Sequence, residues 1–341
     1  MKNKRTTIID VANKAGVSIT AVSFAFNNPD QVGVETAERI KAIANEMGYA
    51  PNAIARAMRS SNTGVIGLLV PMSIAVSFSN PFFYEFMRGI GIVCDEQSLG
   101  VSIVSPYEGS VLKASQRAPV DGFIVVGLNE SHAEIEPLRH RRIPFVIVDG
   151  EAISTSEINI NDEEGAYTSA NYLLTKGHTN VMVLTFEKPV PYHRDDVFYG
   201  VGGQRLKGIQ RAFREHNVSF DFDLLVQSET SIEGGYRAFL SAWNDGFHAS
   251  AILAMSDAMA IGAISGVKTL GLRVPEEIEV IGFDDILLAR SNMPALTTIH
   301  QPIETKGMLA AQQLCKVMKG NSMPEKILLQ TELILRETTR P

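Results

Sequence analysis

The sequence predicts a small all-α head followed by an α/β core made of two doubly wound parallel-sheet lobes. Three observations carry that expectation. In the first fifty positions apolar residues recur at helical spacing and are punctuated by glycines. Beyond Gly64 the texture changes to short β-branched runs alternating with amphipathic stretches. Charge is split as well: residues 1–60 hold eight Lys/Arg against five Asp/Glu, a net of +3, which leaves −10 for the remainder of a chain totalling −7. At 341 residues the chain exceeds one domain of about 100–200 residues, so more than one folding unit is expected.

Within the head, Ile8, Val11, Ala12 and Ala15 define one face of a first helix that Gly16 stops. Ser18 is a good N-cap for a second helix with Val22 and Ala25 inward, and Ile19, Thr20, Ser23 and Phe24 project from its opening turns. A third helix runs from about Glu35 to Met47 and ends at Gly48. Helix, glycine turn and helix suit a helix-turn-helix, whose second helix enters the major groove of DNA, but the same pattern also describes a plain helical hairpin. The stretch PNAIARAMRS, residues 51–60, has Pro51 placed for a first turn and alanines behind it. A helix that short is marginal alone, so ordering is expected only on docking.

The core reads as GVIGLLV, VSIVS, GFIVVG, PFVIVD, VMVLTF, AILAM and EVIGF, strands without period-two alternation and therefore covered on both faces. Phe82 to Gln97, Glu163 to Lys176, Gln204 to His216 and Ala258 to Leu270 supply the covering helices. So many β-α units suit two lobes better than one sheet.

Composition excludes several classes. Hydrophobic residues at 45% and charged ones at 20% are those of ordinary globular material. Cys94 and Cys315 match neither a disulfide framework nor a zinc spacing, which fits a reducing compartment. The opening MKNKRTTIID has no apolar run behind its charges, and no stretch is long enough for a membrane span, so a cytoplasmic location is expected with no membrane partner. GVGGQRLKG fails the dinucleotide pattern because Arg205 stands where the third glycine belongs. No phosphate-binding loop, HExxH or nucleophile elbow occurs, so no catalytic residue, metal or cofactor is assigned.

The run TIIDVANKAGVSITAVSFAFNNPDQVGVETAERIKAIANEMGYAPNAIARAMRS strongly resembles the head of the lactose-repressor/galactose-repressor (LacI/GalR) family of transcription factors. The motifs NPFFYEFMRGI, VDGFIVVG, IPFVIVDG, GQRLKGIQRAF, SDAMAIGAI and VIGFDDILLARSNMPALTTIHQP extend the likeness through a periplasmic-binding-protein-like core. The resemblance implies a helix-turn-helix domain at 1–50, a hinge helix at 51–61 and an effector-binding and dimerisation core at 62–341. Within the core it places lobe one at about 62–160 and 292–322, and lobe two at about 161–291 and 323–341.

By the same resemblance the partners are double-stranded operator DNA, a small-molecule effector such as a sugar or sugar derivative, and a second copy in a homodimer. DNA contact falls to Thr7, Ser18, Ile19, Thr20, Ser23, Phe24, Asn27, Arg56 and Met58. Met58 stands where relatives wedge a leucine between base pairs; an ordinary buried methionine is the other reading. Ile19 and Phe24 occupy positions where polar base readers are common. Neither can hydrogen-bond a base edge, so thymine methyl contacts, Thr20 and DNA kinking are expected to carry specificity, unless Phe24 is a core ring of the head.

Effector binding falls to Arg205 and Asp284, with Phe83, Asp149, Ser256, Asp257 and Gln301 at secondary positions; a ligand-free interlobe salt bridge is the other reading of the first two. Thr230 stands where relatives place a stacking aromatic ring. Tyr192, His193 and Tyr199 in PVPYHRDDVFYG either compensate or belong to a surface insertion. The chain stops shortly after its final strand without leucine heptads, which points to a dimer and not a tetramer. A solute-binding transport protein would share the core but carry an export signal and no head.

Overall fold

The computed structural model describes residues 6–50, 62–186, 200–320 and 323–341. The chain divides into two compact units, Met1–Thr63 and Gly64–Pro341. In the first unit α1 (Ile8–Ala15), α2 (Ile19–Asn27) and α3 (Val34–Glu46) enclose one small core. The side chain of Thr7 accepts from the backbone N–H of Asp10 while the Asp10 carboxylate accepts from that of Thr7, a reciprocal cap that fixes the start of α1. Gly16 ends the helix at φ 65°, a left-handed conformation suited to glycine. Ser18 then accepts from the Ala21 N–H at 3.1 Å and starts α2. Between α1 and α2 the chain turns through 104°, within the range of about 90–120° for a helix-turn-helix.

The second unit contains, in chain order, β1 (Val65–Leu69), α4 (Ile74–Ser79), α5 (Phe82–Gln97), β2 (Gly100–Val104), α6 (Val111–Arg117), β3 (Gly122–Val126), α7 (Glu136–His140), β4 (Phe145–Val148), β5 (Glu157–Ile160), α8 (Asp162–Thr175) and β6 (Val181–Phe186). It continues through α9 (Gly200–Glu215), β7 (Leu225–Ser228), α10 (Ile232–Asn244), β8 (Ala251–Ala254), α11 (Asp257–Thr269), β9 (Glu279–Asp284), α12 (Leu287–Ser291), β10 (Thr297–His300), α13 (Ile303–Met318), β11 (Lys326–Leu329) and β12 (Glu332–Ile334). Two six-stranded sheets result, ordered β11-β5-β4-β3-β1-β2 and β12-β10-β9-β8-β6-β7. Every pairing is parallel except β10 with β12. Each sheet thus repeats one doubly wound order, and the two lobes of the predicted α/β class are present.

Strand pairing corrects the expected lobe limits. The stretch 292–322 was assigned to lobe one, yet β10 pairs with β9 in the second sheet. The segment 323–341 was assigned to lobe two, yet β11 pairs with β5 in the first. Only α13 from the former stretch joins the first lobe, where it packs on α5, β3, β4 and β5. The physical reason is that the chain crosses between lobes three times, at Asn161, at Gln301–Pro302 and at residues 330–331, each crossing too short to show as a composition break.

Helices cover the sheets in close pairs. A Cβ added at Gly89 of α5 would meet the Glu304 carbonyl at 2.0 Å, and one at Gly307 of α13 the Phe86 carbonyl at 2.2 Å. Gly208 does the same between α9 and α8, and Gly235 with Gly262 between α10 and α11. Among the described residues no single helix is long and apolar enough to cross a membrane.

These contacts set a stability test. Gly89→Ala is expected to lower the unfolding free energy by about 1–3 kcal/mol through overpacking. Gly91→Ala, where a Cβ meets nothing within 4 Å, is expected to be neutral or stabilising by up to about 1 kcal/mol. Urea denaturation of both variants checks the pair, and equal losses would contradict the close helix packing.

Candidate functional site

In the head, Ile19, Thr20 and Asn27 are exposed, while Ser23 and Phe24 are half-buried. Thr20, Phe24 and Asn27 lie at i, i+4 and i+7, one face of α2. The head core consists of Val11, Ala12, Ala15, Val22, Ala25, Ala37, Ile40 and Ala44, with Phe26 among the side chains packed around it. Phe26 meets Tyr49 edge-on at 6.0 Å. Phe24 stands outside that set, so the aromatic ring serving the core is its neighbour two positions on. Asn27 donates to the Ser23 carbonyl at 2.9 Å, and Thr7 and Ser18 are engaged in caps. Arg56 and Met58, with the whole stretch 51–61, lie outside the described residues.

In the second unit a chain of hydrogen bonds and ion pairs runs from one lobe to the other at the carboxyl ends of the strands, where ligands bind in open α/β sheets. It begins at Asp149, just after β4. Lys306 of α13, fully buried, donates to Asp149 Oδ1 at 2.7 Å and to Gln301 Oε1 at 2.6 Å. Gln301, on the second crossing between lobes, donates through Nε2 to Asp284 Oδ1 at 2.6 Å. Asp284 ends β9 and lies 3.9 Å from the Arg205 guanidinium. Arg205 of α9 donates through Nε to Asp162 Oδ1 at 2.8 Å and also donates to the Met255 carbonyl. Its guanidinium rests 3.5 Å above the centre of the Phe283 ring. Asp162 opens α8 at the first crossing.

The backbone is unusual here too. Asp149 has φ 54°, Asp284 φ 127° and Asp285 φ 59°, conformations that non-glycine residues hold only where the surroundings impose them. Burial pushes the Asp284 carboxyl up to about 7, although Arg205, the Gln301 amide and Lys306 each favour its charged form. Burial likewise raises Asp162, against the pull of Arg205 and with the help of the Asp149 charge.

Of the residues expected at this site, the structure brings Asp149, Arg205, Asp284 and Gln301 together. Lys306 and Asp162 were missed. Asp257 corrects an expectation: it is fully buried, Oδ2 accepts from the Ile286 N–H at 2.9 Å and Oδ1 accepts from the Thr298 hydroxyl, so both oxygens are used in pinning α11 to β10 and the loop after β9. Burial, then the Asp284 charge, hold its carboxyl well above the usual range. Ser256 is buried and caps α11 by accepting from the Met259 N–H. Phe83 is buried against Phe82 with ring centres 5.9 Å apart. Thr230 is half-buried between β7 and α10. Tyr192, His193 and Tyr199 lie outside the described residues.

A helix-turn-helix head joined to a two-lobed core with charged groups at its strand ends defines a DNA-binding transcriptional regulator and not an enzyme. Comparison with known proteins agrees. Residues 7–52 match the model of bacterial regulatory proteins of the lacI family, and residues 170–339 match a periplasmic binding protein-like domain. The chain is 31% identical over 348 residues to the HTH-type transcriptional regulator DegA of Bacillus subtilis (strain 168), covering 99% of each. It is 32% identical over 349 residues to the HTH-type transcriptional repressor PurR of Vibrio vulnificus (strain CMCP6), covering 98% of each. Among solved structures, the lac repressor dimer bound to operator and the anti-inducer ONPF is 25% identical, with a TM-score of 0.78 over 99% of this chain and all of that one. A LacI family regulator from Enterococcus faecium with bound ribose is 26% identical, with a TM-score of 0.67 over 81% of this chain. The chain belongs to the lacI family of bacterial regulatory proteins.

The raised carboxyl of Asp284 gives a pH test. Its native value is about 7 against an ordinary 3.8, so the folded state keeps a proton that the unfolded chain has lost between those values. Its contribution to stability is therefore greatest at low pH and declines as pH rises from about 4 to about 7. The unfolding free energy of the parent minus that of Asp284→Asn is expected to fall across that window and level off above it. Parallel curves from pH 4 to 8 would contradict the assignment.

Proposed function

We propose that the chain is a homodimeric, cytoplasmic repressor that grips a near-palindromic operator through paired heads and is switched by a small molecule held between the lobes of its core. The observation that carries this reading is the ion chain from Asp149 to Asp162, which joins both lobes where the three crossings leave the least material between them. A ligand that replaces any of its bonds changes the relative cost of open and closed lobes. Coupling of about 1–3 kcal/mol between ligand and DNA sites is ordinary for such a device.

On the DNA side, Ile19, Thr20 and Phe24 read base edges from the major groove, with thymine methyls as the favoured partners of the two apolar side chains. The exposure of Ile19 and the place of Phe24 outside the head core support this. Thr7 and Ser18 contribute at the helix starts, where backbone N–H groups suit phosphates. The roles of Arg56 and Met58 rest on the resemblance of the 51–61 stretch to the family's hinge.

Dimer formation is supported by exposed apolar side chains on both lobes. Met72, Ile74, Val76, Phe78 and Tyr84 are exposed on the first, and Leu287, Leu288 and Met293 on the second. The Glu85 carboxylate accepts from the Leu287 N–H at 2.7 Å, so the two groups meet at one edge of the core. Apolar surface of this kind marks a contact site.

The DNA reading is tested with duplexes selected by the chain from a random pool. Phe24→Ala is expected to cut the ratio of selected to scrambled binding by about tenfold, a loss typical of one recognised base pair. An unchanged ratio in titrated gel shifts would remove Phe24 from base reading.

A further inference from the structure

The ion chain between the lobes contains three carboxylates, Asp149, Asp162 and Asp284, and two cations, Arg205 and Lys306. Both cations are enclosed and already engaged, Lys306 by Asp149 and Gln301, Arg205 by Asp162 and the Met255 carbonyl. The groups that reach the open side are carboxylates: the side chains of Asp149 and Asp162 retain 11% and 9% of their exposure against 1% for Lys306. Each gives one oxygen to a cation, and among the described residues neither second oxygen has a hydrogen-bond partner. Asp162, nine-tenths buried, is therefore an acceptor without a donor.

These two aspartates stand on opposite lobes. Asp149 follows β4 of the first sheet, whereas Asp162 opens α8, which packs on β8, β10 and β12 of the second. They are close enough for the Asp149 charge to help raise the Asp162 carboxyl. The hinge side of the cleft thus presents a surplus of one negative charge, shared by two acceptors that repel each other across the gap.

We infer that the effector is a small hydroxylated amine whose ammonium group binds between the free carboxylate oxygens of Asp149 and Asp162. This rests on the reading of the cleft as the effector site and adds the chemical class of its ligand. An ammonium offers three donors and no acceptor, which matches two facing carboxylates. It cancels the surplus charge and turns repulsion between lobes into a bridge that favours closure. A neutral hydroxyl in the same place makes the hydrogen bonds but leaves the repulsion, and a phosphorylated or carboxylated ligand adds to it. The ligand's hydroxyls have Asp284 and Gln301 as neighbours on the same chain.

The test uses the full-length protein in calorimetric and thermal-shift titrations with glucosamine and galactosamine, each compared with its N-acetyl derivative and with glucose or galactose. N-Acetylation keeps the size of the substituent's anchor but removes the charge. Each bound amine is expected to exceed its uncharged partners by about tenfold in affinity, the difference between a charge-assisted and a neutral hydrogen bond. Asp162→Asn and Asp149→Asn should each abolish that preference while leaving affinity for the uncharged sugars within about threefold. Binding of an uncharged sugar as tightly as its amine, or no binding of either amine, overturns the assignment. Gel shifts on the same samples separate the two levels. Operator binding that responds to an uncharged sugar keeps the regulator reading while removing the amine, and absence of any duplex preference removes both.

Discussion

A fully buried ammonium needs partners, and the pairing of Lys306 with Asp149 and Gln301 is the constraint from which the rest of the core's interior follows. Removing one partner from a buried pair leaves a charge whose desolvation nothing offsets, at a cost of about 3–5 kcal/mol. Lys306 therefore fixes the position of Gln301, Gln301 fixes the Asp284 carboxylate, and Asp284 stands beside an Arg205 already held by Asp162. Because these residues come from both lobes and from two of the three crossings, local satisfaction of charge becomes a constraint on lobe geometry. That makes the interior responsive: an incoming ligand competes with bonds that the empty cleft cannot do without.

The same logic separates binding residues from supports. Asp257 shares the acidic character of Asp284 but spends both oxygens on neighbours within its own lobe, so it stabilises the platform. Asp285 does likewise with Arg336, Arg290 and His300, whose charges and hydrogen bonds, working against burial, hold its carboxyl below the usual range. Glu279 anchors the C-terminal segment through Arg340, with Lys176 and His178 nearby. Asp149, Asp162 and Asp284 differ in holding acceptors in reserve or a proton near neutrality.

Much of this was legible where the signal is local. The caps at Thr7, Gly16 and Ser18 and the helices of the core follow from spacing and residue chemistry within a few positions, and Arg205, Asp149, Asp284 and Gln301 came from motifs that resemble the family's. What stayed hidden depends on distance along the chain. Lys306 and Asp149 are 157 positions apart, and Asp162 and Arg205 are 43 apart. A signal for Lys306 did exist: it lies on the buried stripe Ile303, Lys306, Gly307, Ala310, Leu314, where a lysine has no reason to be unless a carboxylate awaits it. The strands β5, β7, β10, β11 and β12 were passed over because they span three or four residues, and the exchange of β10 and β11 between sheets is set by pairing that no local pattern records.

The central claim is that charge satisfaction at the hinge ties the two lobes together, and a double-mutant cycle measures it most directly. Lys306→Met acts on the first lobe's end of the chain and Asp284→Asn on the second's. Unfolding free energies of the parent, the two single variants and the double variant are expected to show a coupling of about 1 kcal/mol or more, as for residues sharing one polar network. Additive effects, within about 0.3 kcal/mol, would show that the lobes hold their charges independently and would contradict the account.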